Sequence, residues 1–429
     1  MDHHYAFLQP GRSVAVIGAG IAGLACAYLL ACRHRVTLFE AEPTLGGHAH
    51  TVDVELDGRR HPVDTGFLVF NERTYPNLVA LFAELGVTAH RSEMSFSVSL
   101  DDGRFEWAGT SLNTVFAQRA NLFSPSFIGM LRDILRFNAH AERHLEAASR
   151  TRCSVGDLLT DGGYGAPFQH HYLLPMAAAI WSSTAHEILR FPAATFLRFC
   201  LNHALLQVAR RPSWQTVAGG GRAYVERIAA TLDDVRTGTP VRAVRRDAHG
   251  ATVFTDAGPA RFDAVVLASH APTSLALLAD AEPDERRVLG AIRYQRNLAL
   301  LHTDAALLPR RRRVWSAWNY LGARDATRPV CVSYLINQLQ PLPFDTPVIV
   351  TLNPVSEPAP ERTLGRYQYE HPLLDLAALD AQRHLPSLQG RRRTWFAGAW
   401  TGYGFHEDGL KSALAVSVDF GVRPAWTRA

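Results

Sequence analysis

At 429 residues, 47% of them hydrophobic, the chain is long enough for two or three domains and a large buried core. Its net charge of +4 is mild and spread out, and no nucleic-acid module signature accompanies the basic residues, so DNA and RNA are excluded as partners. Two arginine runs, at 310–313 and 391–393, are expected to be solvated loop edges, with phosphate or anionic lipid as the alternative reading.

Five cysteines, Cys26, Cys32, Cys153, Cys200 and Cys331, are scattered and form no C-x-x-C pair, which points to reduced thiols in a cytoplasmic protein and implies no metal site. Residues 1–13 lack the basic, apolar and small-residue order of a secretory signal. The uncharged run from Val14 to Cys32 is long enough to suggest a membrane span, but its glycine spacing argues otherwise. Val14 to Ile17 reads as a strand, followed by Gly18-Ala19-Gly20-Ile21-Ala22-Gly23 and an alanine- and leucine-rich helix; a second strand, RVTLFE, ends in Glu40. Gly18 makes the tight turn, Gly20 lets backbone approach a pyrophosphate, and Gly23 lets the helix pack on the sheet. The first helical turn at Ile21 and Ala22 offers free N–H groups to phosphates, and Glu40 can accept from ribose hydroxyls. That motif alone fits NAD or FAD; Leu45-Gly46-Gly47, a second glycine pair placed to approach the same pyrophosphate, favours FAD.

At this point the sequence resembles the opening of the flavin-containing amine oxidase superfamily, which includes amine oxidases, protoporphyrinogen oxidases and carotenoid desaturases. Arginine usually follows the glycine pair there; this chain has His48, a substitute phosphate or ribose donor without permanent charge. Pro62-Val63-Asp64-Thr65-Gly66-Phe67 resembles the family's next segment, a loop close to the isoalloxazine ring, where Gly66 permits the approach. An ordinary strand-end turn is the other reading.

From Pro76 to Leu85 the pattern is a helix stopped by Gly86, with Leu78, Phe82 and Leu85 on one face. Ser124-Pro125 opens another, with Phe127, Ile128, Leu131, Ile134 and Leu135 as an apolar stripe and Arg132 and Arg136 off it; the stripe reads as core, or as a membrane-contacting face flanked by arginines. The segment TVAGGGRAYVERIAATL reads as a glycine-rich loop and helix, VRTGTPVRAVRRDAHGATVFTDAG as short strands, and AVVLAS as a buried strand. In the resembled family these return to the FAD domain, with backbone near Val241 touching adenine. RNLALLHTD, RVWSAWNY, VCVSYLINQL and TPVIVTLNP supply sheet strands that would wall an apolar cavity.

The strand TWFAGA, ending at Gly398, the loop WTGYGFHED and the helix GLKSALAVSVDFG resemble the family's closing motif, a helix aimed at the flavin pyrimidine. Where the family usually has a carboxylate for the ribityl chain, this chain has Ala399, and Phe405 aligns with the aromatic beside the reacting face. His406 and Glu407 are the titratable candidates for a catalytic base; capping of the loop and helix is the equal alternative, shared by Asp408. Lys411, the one lysine of the chain, is expected on the surface.

The resemblance extends over nearly the whole chain to a bacterial branch described as predicted NAD/FAD-binding proteins, through PMAAAIWSS, NQLQPL, TLNP and WFAGAWTGYGFHEDGL. It implies an α/β fold: a discontinuous Rossmann-like FAD-binding domain of amine-oxidase type (1–74, 214–275 and 389–429) with an interleaved α+β substrate domain (75–213 and 276–388). Members of that branch are associated with lipid methyltransferases, which implies such a partner, a lipid substrate, and peripheral contact with the inner membrane surface. An acyl chain fits a cavity lined by Trp181, Trp315, Trp318, Tyr334 and Phe344. The leading expectation is an FAD-dependent oxidoreductase that desaturates a fatty-acyl chain. An amine oxidase, a redox-neutral isomerase and a non-catalytic flavin-binding partner of the methyltransferase stand as alternatives.

Overall fold

In the computed structural model, which describes residues 9–207, 212–322 and 331–427, the strand Ser13–Ile17 runs at the centre of a five-stranded parallel sheet. Residues 1–8 of the N-terminal stretch read for a signal lie outside these ranges. The sheet order is Asp234–Arg236, Arg35–Phe39, Ser13–Ile17, Ala264–Leu267, Thr394–Phe396. Such unbroken apolar strands need cover on both faces. On one face lie the helices Ile21–Ala31 and His406–Asp419, with Leu24, Ala25, Leu410 and Ala413 against Val14, Val16 and Val266. On the other lie the antiparallel strands Val241–Asp247, Gly250–Thr255 and Gly258–Phe262 and the helices Pro283–Gly290 and Leu376–His384.

A second, seven-stranded sheet has the order Thr363–Leu373, Arg293–His302, Ile349–Leu352, Cys331–Leu335, Trp318–Gly322, Phe96–Leu100, Phe105–Ala108. Its pairs are antiparallel except Trp318–Gly322 with Phe96–Leu100. Four of these strands match the segments read as sheet. Its longest strand, Thr363–Leu373, does not: TLGRYQYEHPL has few buried positions, because it lies at the sheet edge.

Helices from 125 to 202 cover this second layer. The helix Pro76–Leu85 begins and ends as read, with Gly86 in the left-handed region at φ 66°. The helix Pro125–Thr151 is capped by Ser124, and of its expected stripe Phe127, Leu131 and Ile134 pack inward while two positions do not. Phe127, Met130, Phe137 and Ala141 face inward, while Ile128 and Leu135 are exposed. Asp133 also lies in the inward row, buried, where it accepts from Gly165 N–H and pairs with Arg136. The arginine runs lie in loops, several of them ion-paired; Arg311 reaches the buried Glu106, and Arg391 bonds Glu282 and Asp284. All five cysteines are free, and among the described residues no helix is long and apolar enough to cross a membrane.

Candidate active site

The carboxyl ends of the parallel strands open on a cavity of about 620 Å³, where sheets of this kind bind ligands. Gly18 turns the first strand into its helix at φ 101°, and a Cβ there would lie 2.9 Å from the Ala268 carbonyl oxygen. Gly23 meets the Gly18 carbonyl so closely that a Cβ would sit 1.8 Å from its oxygen, so this glycine closes the helix onto the turn and stays off the cavity wall. Gly20 has nothing within 4 Å of its Cβ position and, with Ile21 and Ala22, lines the cavity. No side chain caps this helix start, which leaves its first N–H groups for an anion.

The second glycine pair lies directly on the first. Gly46 N–H donates to the Ala19 carbonyl at 2.9 Å, and Gly20 and Gly46 form a bridge. Gly46 shapes this turn from behind, while Gly47 and His48 line the cavity. Glu40 lines the same end; its carboxylate accepts from Ala19 N–H at 2.7 Å and Glu42 N–H at 3.0 Å. Val241 is beside it on the wall.

Midway, residues 48–50 pair with 65–67: Phe67 N–H donates to the His48 carbonyl and Thr65 N–H to that of His50. Gly66 is obligatory there, because a Cβ would lie 2.2 Å from the His48 oxygen. The Thr65 hydroxyl meets Tyr369 OH and His50 Nδ1, each at 2.7 Å. The His48 ring lies 5.3 Å from that of His371 and 6.2 Å from that of His270. Burial, reinforced by these neighbouring imidazoles, pushes His48 well below its ordinary range, so it is neutral. Its Nε2 is buried without a hydrogen-bond partner among the described residues. A bare glycine, an open helix start and an orphaned imidazole nitrogen on one wall fit the diphosphate of FAD.

In the C-terminal segment, Gly398 N–H donates to Ser412 Oγ at 2.9 Å, and Gly398, Ala399, Phe405 and His406 all line the cavity. The helix begins at His406, three residues earlier than read, which draws the titratable pair into its first turn. His406 stacks on Phe67, ring centroids 3.7 Å apart, with Nε2 3.1 Å from Tyr224 OH; burial lowers it to about 3. Glu407 turns out of the cavity. Its carboxylate accepts from Asn77 N–H, Asn77 Nδ2 and Leu78 N–H, capping the helix Pro76–Leu85. Asp408 accepts from Phe405 N–H at 3.0 Å and is raised by burial to about 6. Lys411 is exposed and off the wall. Ala399 brings no carboxylate, but Glu370 does: apart from Glu40 and Glu42 it is the one acid on the wall among the described residues, 3.3 Å from His270 Nδ1.

The other end lies between the seven-stranded sheet and the helices. Trp181, Trp318 and Tyr334 line it as expected. Trp315 and Phe344 do not: Trp315 Nε1–H donates to the Pro309 carbonyl, and Phe344 packs edge-on against His61, both behind the wall. Sequence reading missed Tyr75, Phe199, His203 and Trp214, which come from three separate elements and carry no local signal. His203 stacks on Phe199, and its Nδ1–H donates to the Phe199 carbonyl at 3.0 Å, which fixes the tautomer and leaves Nε2 as an acceptor. Burial lowers this histidine to about 4, so it is neutral at pH 7.

The family model for flavin containing amine oxidoreductases matches residues 21–295. Carotenoid phi-ring synthase of Streptomyces griseus is 30% identical over 324 residues, which are 70% of this chain and 60% of that protein; the chain thus spans less than two thirds of this relative's length. Among solved structures, a putrescine oxidase double mutant superposes with a TM-score of 0.67 at 17% identity, over 97% of this chain and 100% of that one. A CLA-producing fatty acid isomerase from P. acnes superposes at 0.65 and 18% identity, over 95% and 98%. These two likenesses establish a shared fold. With the family match over most of the chain and a cavity whose walls fit FAD, the chain belongs to the flavin-containing amine oxidoreductase family.

Proposed function

We propose that the chain abstracts hydride from an apolar carbon chain of fatty-acyl type and leaves an alkene. The observation that supports this most directly is the composition of the cavity's far end. Tyr75, Trp181, Phe199, Trp214, Trp318 and Tyr334 wall it, and no arginine or lysine stands anywhere on the described wall. The three acids belong to the Glu40 loop and the His270 neighbourhood. An ammonium or a carboxylate placed at the far end would lose its hydration with no ion partner, whereas an acyl chain gains from burial. Relatives named for a carotenoid and for a fatty acid support an extended apolar substrate.

When bound, FAD supplies the two-electron acceptor for the hydride. The proton from the adjacent carbon needs an acceptor. His203 provides one: it lines the cavity, and with Nδ1–H held by the Phe199 carbonyl its Nε2 is left to accept. His406, held between Phe67 and Tyr224, anchors the wall next to Phe405, whose ring lies 5.9 Å from that of His203. The test is anaerobic mixing of the FAD-loaded protein with unsaturated and methyl-branched acyl lipids, followed by absorbance. Bleaching of the oxidised flavin is expected, slowed about 10²–10⁴-fold in His203→Gln. Persistent yellow colour with every lipid refutes the reading; peroxide release with amines alone would make it an amine oxidase, and double-bond migration without net oxidation an isomerase.

A further inference from the structure

Nine large hydrophobic side chains are exposed among the described residues, and five of them fall between positions 112 and 135: Leu112, Leu122, Phe123, Ile128 and Leu135. Phe123 is the most exposed of all, at 87%. They cluster in space as well as in sequence. Leu122 and Phe123 end the turn Arg119–Phe123 that leads into the helix Pro125–Thr151, and Ile128 and Leu135 are on one outer face of that helix, seven residues apart. Leu112 opens a short helix whose end, Phe116, packs its ring against Phe127 at 5.8 Å.

The charge around this patch is predominantly positive, with the exposed acids Asp102 and Glu142 at its margins. Between Asp102 and Glu142 the only acids are Glu106 and Asp133, and both are buried, at 0% and 7% exposure. Arg119 and Arg132 are exposed within the same stretch. The loop carrying Arg312 and Arg313, both exposed, joins it through the cluster of Ala108, Ala117 and Val314. An apolar rim with phenylalanine at its tip and arginines in excess around it is what an anionic bilayer surface attracts: the hydrophobic side chains enter the acyl boundary and the guanidinium groups meet headgroup phosphates.

We propose that the surface formed by residues 112–135 and the Arg312–Arg313 loop docks on an anionic lipid bilayer. It does not depend on the acyl-chain reading, because docking is measured without turnover. The beneath-patch packing also leads toward the cavity: Tyr320 touches the same cluster as Phe127, and Trp318, two residues earlier on the same strand and face, lines the cavity.

The experiment is co-sedimentation of the FAD-loaded full chain with vesicles of phosphatidylcholine alone or with added phosphatidylglycerol, at low and high salt. Binding to the phosphatidylglycerol vesicles is expected, falling with salt and about fivefold for each arginine removed in Arg312→Gln and Arg313→Gln. Phe123→Ser with Leu122→Ser, both at exposed positions, is expected to abolish binding with unchanged flavin absorbance. No binding of the parent chain to anionic vesicles overturns the proposal. So does equal binding to both vesicle types, or binding unaltered in the Phe123→Ser and Leu122→Ser variant. A dimer, or a complex with a lipid methyltransferase, that this variant dissolves while vesicle binding is absent would assign the patch to a protein partner instead.

Discussion

Replacing Glu407 separates a structural carboxylate from a catalytic one. The side chain is 3% exposed and holds two backbone donors, Asn77 N–H at 3.2 Å and Leu78 N–H at 3.0 Å, together with Asn77 Nδ2 at 2.6 Å. Glu407→Ala removes the cap of the helix Pro76–Leu85, about 1 kcal/mol, and strands buried donors at about 1–3 kcal/mol more. The carboxylate's own burial, which raises its pKa, offsets part of this. A net loss of about 3 kcal/mol follows, or about 3 °C in the melting transition of a chain of 429 residues. Glu407→Gln keeps one acceptor oxygen and is expected to lose about a third as much. Thermal melts followed by flavin fluorescence measure the first effect, and anaerobic flavin reduction well below both transitions measures the second. Unchanged melting with flavin reduction slowed by about a hundredfold or more would refute the capping account and make Glu407 the base.

Gly20→Ala is expected to fold normally, since nothing lies within 4 Å of the new methyl, yet to bind FAD about tenfold more weakly or worse; Gly23→Ala, with its methyl on the Gly18 carbonyl, is expected not to accumulate as folded protein. Flavin absorbance per mole of purified protein distinguishes the two. His302, wholly buried, donates from Nε2 to Thr351 Oγ1 and accepts Asp304 N–H at Nδ1, and burial lowers it to about 4. Its contribution to stability is therefore complete above its unfolded value near 6.5 and is lost as pH falls toward 4; at pH 5 the loss is about 2 kcal/mol, seen as a steeper decline between pH 7 and 5 in denaturant titrations than His302→Gln shows. Glu285→Ala leaves the buried Arg246 guanidinium with Asp280 as its remaining carboxylate and is expected to cost about 3–5 kcal/mol, measured by the same titrations.

The nucleotide end of the cavity was legible because its chemistry is local. Gly18, Gly20, Gly23 and Glu40 act through a single strand, turn and strand, so their spacing carries their geometry. The Glu407 cap was not, because the N–H groups it satisfies belong to residues 77 and 78, more than three hundred positions away. The same holds for His203, whose place on the wall depends on a helix packed against the C-terminal loop through Phe199 and Phe405. Trp315 and Phe344 were taken for cavity walls on residue type alone; what decides between wall and core is which side of the sheet a residue faces, and loop positions such as these carry no alternation to reveal it. Of the stripe read for the helix Pro125–Thr151, Phe127, Leu131 and Ile134 pack inward, but Ile128 and Leu135 are exposed, and the inward row also holds a buried aspartate, Asp133, that hydrophobicity assigns to the outside.

The edge strand Thr363–Leu373 places Tyr369, Glu370, His371 and Pro372 on the cavity wall while pairing along its length with Arg293–His302. Tyr369 meets Thr65 and His48, and Glu370 meets His270, so one strand at the edge of the second sheet shapes the flavin end of the cavity. A substitution in this strand, remote in sequence from the glycine motif, is therefore expected to register in flavin affinity, with repairing changes near Thr65 and His48.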